Sequence, residues 1–304
     1  MRVLNFGSLN IDMVFAVDHI VRPGETIAST GLQVHAGGKG ANQSVALARA
    51  GAQVFHAGRI GADGLWLRDK LRAQGVDVSH IITGAEPTGQ AIIQVDARGQ
   101  NSIVLLGGGN QALTRPDIDA TLQAFGPGDV LLLQNEVNEV AYLMQQGQAR
   151  GLTICFNPAP FGPNVNSYPL TCVDLLVVNE TEGAGLSGRG EPDTMLAQLG
   201  HLLPQAEVLL TLGERGAIHQ HAGKQTRQAA PTVRAVDTTA AGDTFIGYYL
   251  AGRGQGMNVQ AALAQACAAA AICVTRPGAM DSIPTRAEVE HAVREVRVGL
   301  SPHR

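Results

Sequence analysis

Two carboxylates, Asp237 and Asp243, stand six positions apart in the stretch DTTAAGDTF at 237–245, among three hydroxyl residues and a run of small ones. A helix beginning near Gly242 and continuing through FIGYYLAG would aim its unpaired N–H groups and positive dipole end at this turn. Small residues let an anion touch that backbone. Asp243 could then take a proton from a hydroxyl while the adjacent N–H groups neutralise charge growing on a transferred phosphoryl group. A plain helix cap also accounts for an Asp-Thr-Thr segment, so the rest of a phosphate site must decide between the two.

Further motifs could complete that site. TLGERG at 211–216 follows a strand-like run with a glycine-bearing turn, which suits either nucleotide phosphates lying on backbone N–H groups or an ordinary hairpin. NETE places Asn179 and Glu182 three apart on one side of a helical turn, as a ligand pair or as a stabilising cap. HAGGKGANQSVALARAG at 35–51 sets Gly37, Gly38 and Gly40 around Lys39 just before an apolar-periodic helix. It is not a Walker A loop, because Gly40 rather than Ser or Thr follows the lysine. Its exposed backbone, its cation and the Asn42 amide could bond hydroxyls instead. GSLNID supplies Asn10 and Asp12 at the end of the first strand, where an open α/β sheet binds ligands, although an Asx turn explains them equally well. GAGLSG at 183–188 satisfies the dinucleotide pattern but follows NETE rather than a strand, so it is set aside. No HExxH, GxSxG or repeated Cys/His spacing occurs.

The elements that must carry these residues read as a parallel sheet between helices. Apolar runs RVLNFGS, DVLLLQ, LTICFN, DLLVVN and EVLLTLG alternate with helix-like stretches around 40–50, 64–74, 137–149 and 193–203. At 304 residues, without an internal repeat or low-complexity linker, the chain is expected to form a single domain, 1–304. Two segments, about 13–36 and 88–106, break the alternation. The second reads as two strands joined by a turn at Asp96 to Gly99, and such strands must pack away from the buried sheet, as a small β lid or at a dimer interface.

Composition narrows the partners. A formal charge of −4 with 16% charged residues and no basic stripe argues against nucleic acid. Cys155, Cys172, Cys267 and Cys273 form no CxxC pair, as expected of reduced thiols in the cytoplasm, and the two Asn-x-Ser/Thr matches at Asn42 and Asn179 carry no weight there. MRVLNFGSLN lacks the pattern of a secretory leader, and AALAQACAAAAICV at 261–274 is too short and alanine-rich to span a membrane.

Taken in order, GSLNID, GGKGANQ, GGGN, QNE, NPAP, NETE, TLGERG, DTTAAGDTF and TRPGAMDSIP resemble the ribokinase family of carbohydrate kinases over nearly the whole chain. The resemblance implies a doubly wound sheet with a β lid that is often shared in a homodimer. It implies Asp243 as the base, with Gly242, Ala241 and Ala240 lining an anion hole, and Asn10, Asp12, Gly38, Lys39, Asn42 and Glu136 meeting sugar hydroxyls. Asn179, the turn from Thr211 through Gly213 to Gly216, and Gly242 would hold ATP, with Cys267 beside the adenine, where the family often has a polar side chain. Glu182 would orient the waters of Mg2+. Asp237, the Thr239 carbonyl, Cys273, Arg276, Gly278 and Ser282 would bind a K+-like ion behind the anion hole.

The implied reaction is ATP-dependent phosphorylation of a free sugar's primary hydroxyl, with D-ribose at O5 the leading substrate. Free sugar is expected over sugar phosphate because the pocket motifs contribute one cation, Lys39. Deoxyribose, a hexose such as fructose, 2-keto-3-deoxygluconate or a nucleoside are the alternatives within enzymes, and a sugar sensor without turnover is the alternative outside them. Gly108-Gly109-Asn110 stands where the family commonly has GAN, and DTFIGYY where it commonly has DTFNGA.

Overall fold

A computed structural model gives the architecture and describes residues 1–299. The chain enters the main sheet as β1 (Arg2–Phe6), leaves it through β2 (Asn10–Val17) and β3 (Gly31–Gly37), and returns along α1 (Lys39–Arg49) to β4 (Gln53–Ile60). After α2 (Leu65–Ala73) and β5 (Asp77–Thr83) it departs again as the hairpin β6 (Gly89–Asp96) and β7 (Asn101–Leu106). The chain then runs through α3 (Arg115–Leu122), β8 (Val130–Gln134), α4 (Val140–Ala149), β9 (Thr153–Asn157), β10 (Leu175–Asn179), α5 (Glu180–Ser187), α6 (Pro192–Leu202) and β11 (Glu207–Thr211). The hairpin β12 (Ala217–His221) and β13 (Lys224–Gln228) precedes α7 (Ala241–Gly254), α8 (Val259–Cys273) and α9 (Arg286–Gly299).

Nine strands form one sheet in the order β13-β12-β11-β10-β9-β8-β1-β4-β5, parallel except for the antiparallel edge made by β12 and β13. Side-chain alternation splits each central strand between two cores. Val130, Leu132, Cys155 and Val177 face one core with α1, α7 and α8, whereas Leu131, Leu133, Ile154 and Leu176 face the other with α3, α4 and α6. Strands buried on both faces need continuous apolar runs, which is why these were legible in the sequence. β4 was not among the runs noted there, since Gln53, His56 and Arg59 interrupt it. It is nevertheless central, paired in parallel with β1 and β5.

The second sheet has the order β3-β2-β6-β7. Its register puts Asp12, Val14, His35, Ile93, Ile103 and Leu105 on the face that lines a cleft, and Met13, Leu32, Val34, Ile92, Val104 and Leu106 on the other. The main sheet turns its carboxyl ends toward the same cleft. There the apolar strands end on polar residues: Gln134, Asn157, Asn179 and Thr211.

Candidate active site

A cleft of about 1190 Å³ lies between the two sheets. Asn10, Asp12, Gly38, Lys39, Asn42, Glu136, Asn179, Glu182, Thr211, Asp237, Thr239, Ala240, Ala241, Gly242, Asp243 and Gly278 all reach it, although they span most of the chain. Gly213, Gly216 and Cys267 do not line it. TLGERG forms the hairpin turn between β11 and β12, and a Cβ on Gly216 would meet the Gln228 carbonyl at 2.0 Å. Cys267 is buried in the α8 core, which pushes its thiol up to about 12.

Asp243 occupies the first turn of α7 and is 8% exposed. Asn42 Nδ2 donates to its Oδ2 at 3.1 Å and Gln43 Nε2 to its Oδ1 at 2.9 Å, so two consecutive α1 side chains clamp both oxygens. Burial raises the Asp243 pKa, against the Lys39 charge and these two hydrogen bonds. Ala240, just before the helix, adopts a left-handed φ of 60°, uncommon for a residue with a side chain and a frequent companion of functional turns. Among the described residues no protein group accepts from the Gly242 or Asp243 N–H, and a Cβ built on Gly242 would meet open space. The helix therefore presents bare donors beside a carboxylate, which is the arrangement an anion-stabilising site requires.

Lys39 opens α1 and sits among acids. Burial pulls its pKa down, but Asp243, Glu136, Glu182 and Asp12 together outweigh burial and raise it. Burial and Glu136 push Asp12 up to about 7, with Lys39 opposing. Glu136 is raised by burial as well, although Lys39, Ser8 and the Lys39 backbone hold its charge. Ser8 Oγ donates to Glu136, and the Lys39 N–H does so at 3.1 Å. Gly38, at φ 94°, and Gly40 owe their identity first to the β1–β2 turn: a Cβ on Gly40 would sit 2.4 Å from the Ser8 nitrogen. The GGKG glycines thus let α1 approach that turn, a structural reason distinct from ligand contact.

Asn179 and Glu182 form a reciprocal capping box at the start of α5. Asn157 Nδ2 also reaches Glu182 at 3.3 Å, and burial raises the Glu182 pKa. Behind Asp243, Asp237 accepts from the Thr239 and Gly278 N–H groups at 2.9 Å each; burial pushes its carboxyl up, but these bonds outweigh it and hold it below the ordinary range. Cys273 Sγ lies 3.1 Å from Ser282 Oγ and 3.7 Å from the Thr239 carbonyl. The Arg276 guanidinium turns away to Glu288 at 2.5 Å.

The pfkB family carbohydrate kinase model matches residues 2–286. The chain belongs to that family. It is 37% identical to ribokinase of Haemophilus influenzae, over 94% of this chain and 97% of that protein. Among solved structures, ribokinase of Cryptococcus neoformans in complex with ADP is 37% identical with a TM-score of 0.85, covering 95% of this chain and 99% of the other. Arabidopsis thaliana ribokinase complexed with ribose and ATP is 28% identical with a TM-score of 0.87, covering 96% and 98%.

Against that carbohydrate-kinase frame, the sequence reading missed the polar layer under the site. Gln43, fully buried, donates to Asp243 and to Asn157 Oδ1 and accepts from Gln134 Nε2 at 2.6 Å. Gln134 in turn donates to Asn5, and Asn5 to Ser44, whose hydroxyl meets His56. Burial depresses His56 to about 4, leaving it neutral despite its bond to the Gly7 carbonyl. One sequence signal was available: an amide closing each of three consecutive apolar strands.

Proposed function

We infer that this chain is an ATP-dependent ribose kinase that transfers the γ-phosphoryl group to O5. The observation that carries the reading is Asp243, a buried carboxylate at the mouth of α7 beside the unengaged N–H of Gly242, facing a cleft with hydroxyl-binding groups on its other walls. Asp243 takes the O5 proton as the O5–P bond forms, the bond from phosphorus to the bridging oxygen breaks, and ADP leaves. Gly242, with Ala241 and Ala240, holds the charge on the moving phosphoryl group. Ribose lies against Asn10, Asp12, Gly38, Lys39, Asn42 and Glu136, which fixes O5 near the base.

The electrostatics favour a free sugar. Asp12, Glu136, Glu182 and Asp243 surround the single ammonium of Lys39, so a second phosphate on the acceptor would meet an excess of negative charge. Asn179 and Thr211 border the ATP half. Gly213 and Gly216 lie in the β11–β12 turn that follows Thr211, and Cys267 lies in the α8 core.

Mg2+ suits Glu182, a hard oxygen donor with both oxygens oriented by Asn179 and Asn157. Held there through water, it would supply positive charge to screen the phosphates. K+ would suit the loop behind the anion hole, where Asp237 accepts from the Thr239 and Gly278 N–H groups and Cys273 Sγ lies near the Thr239 carbonyl and Ser282 Oγ, with Arg276 on the same loop. A cation held there would stabilise the shape of that loop. The four-stranded sheet acts as a lid of one 1–304 domain, and two copies pair through it as a homodimer. Leu32, Val34, Val104 and Leu106 are each 46–61% exposed on its outward face, an apolar patch that suits a second copy of the chain. The setting is cytoplasmic, in keeping with four free buried thiols.

An ADP-release assay across ribose, deoxyribose, fructose, 2-keto-3-deoxygluconate and adenosine tests the reading. Ribose is expected to dominate kcat/KM; sugar binding with no ADP release from any of them would favour a sensor.

A further inference from the structure

The four-stranded sheet joins the main body at four crossings, and three of them meet at Asn110. β2 leaves after Leu9, β6 leaves at Gly89, and β7 returns through the turn at 107–111. Asn110 is 3% exposed, and its own carbonyl accepts from the Asn138 N–H at 3.0 Å, anchoring it to the main body. The crossing is tight: a Cβ on Gly89 would stand 2.2 Å from Asn110 Nδ2.

The hydrogen bonds here fix which way two amides point. Leu9 N–H meets the Asn110 side chain at 2.9 Å, and a backbone N–H can only donate, so the receiving atom is Oδ1. The other end of Asn110 is then NH2. It faces the Leu9 carbonyl at 3.2 Å and the Asn10 side chain at 2.7 Å, so the Asn10 atom that accepts is its Oδ1. What remains of Asn10 for the cleft it lines is the NH2. No protein group among the described residues accepts from it.

We propose that Asn110 is a positioning residue for sugar recognition, holding Asn10 with its NH2 toward the bound sugar and tying the outgoing β2 strand to the turn that returns from β7. Asn10 then offers only donors and reads an acceptor oxygen of the sugar. Asp12 and Glu136, in their ionised forms, can only accept, so as carboxylates they read the hydroxyl protons. The inference rests on the ribose-kinase reading above.

Asn110→Asp tests it, because Asp keeps the size and the acceptor for Leu9 N–H but cannot donate. Its second oxygen faces the Leu9 carbonyl and draws the Asn10 NH2 inward, turning Asn10 Oδ1 to the sugar. With the purified full chain, the ribose KM should rise about tenfold or more, the scale of one mismatched buried hydrogen bond. The ATP KM should stay within about twofold, and in an Asn10→Ala background the same change should add less than about threefold, since it acts through Asn10. Should Asn110→Asp fail to fold, calorimetric ribose binding by Asn110→Ala replaces it, with affinity expected to fall. A folded Asn110→Asp enzyme with an unchanged ribose KM overturns the inference. So does a rise shared equally by both substrates, or undiminished in the Asn10→Ala background. Loss of ribose turnover by the unmodified chain would instead count against the ribose reading, and the comparison would be run with whichever sugar that chain phosphorylates.

Discussion

Replacing Asp243 with Asn separates the base from the shape of the site. Both Asp243 oxygens already accept, from Asn42 Nδ2 at 3.1 Å and Gln43 Nε2 at 2.9 Å. An Asn amide offers one oxygen and one NH2, so one of those donors must face another donor. A buried mismatch of that kind costs about 1–3 kcal/mol, within reach of a native fold stabilised by about 5–15 kcal/mol. The variant should therefore fold, with a lower Tm. Catalysis should suffer far more. A lost base removes about a hundredfold to ten-thousandfold, and the disturbed clamp also loosens O5, so kcat should fall roughly a thousandfold or more, equivalent to about 4 kcal/mol of barrier. Ribose affinity should stay within about tenfold, because Asp12, Lys39 and Glu136 still define the sugar pocket. ADP release gives kcat, calorimetry gives ribose binding, and thermal unfolding gives stability. A kcat within about tenfold of the parent enzyme would remove Asp243 from the proton transfer. Lowering the pH supplies the complementary test: burial raises the Asp243 pKa, so kcat should fall as pH drops through that raised value and recover above it.

Asp12 provides a stability test with a definite sign. Its folded pKa, about 7, exceeds the ordinary carboxyl value, so between roughly pH 4 and 7 the folded chain holds a proton that the unfolded chain has released. Asp12 therefore costs stability as pH rises through that window, with Glu136 adding to the cost and Lys39 reducing it; Asp12→Asn should be more stable than the parent at pH 8 and lose that advantage near pH 4, and a pH-independent difference in Tm would refute this. K+ should raise kcat above the rate in Na+, and Asp237→Asn should abolish the difference; equal rates in the two ions would dismiss the cation loop. Val34→Glu combined with Val104→Glu should convert a dimer to monomers in sedimentation experiments, whereas an unchanged sedimentation coefficient would place any dimer contact elsewhere.

The parts legible in the sequence were those whose cause is local. DVLLLQ and LTICFN read as buried parallel strands because both faces are covered, and the helix at 241–254 announced itself by the small residues before it. Two strands about the Asp96 turn were visible because apolar runs flank a turn-forming Asp-Ala-Arg-Gly, and β6 and β7 lie there, although the second sheet begins at Asn10 and ends its first hairpin at Gly37, outside the 13–36 span read from sequence. What stayed hidden depends on distant partners. Gln43 looks like any polar residue early in a helix, yet it meets Asp243 200 positions away and Gln134 91 positions away. Nothing near it in the sequence signals burial. Only the packing of α1 and α7 on the same face of the sheet brings its amide to the carboxylate, and a fully buried amide must then find partners for both ends. Gln134 and Asn157, closing neighbouring strands, are those partners. An apolar Gln43 substitute would leave Asp243, Asn157 and Gln134 each short of a bond, so the polar layer stands or falls together. The base is thus held by a scaffold that its own motif does not contain.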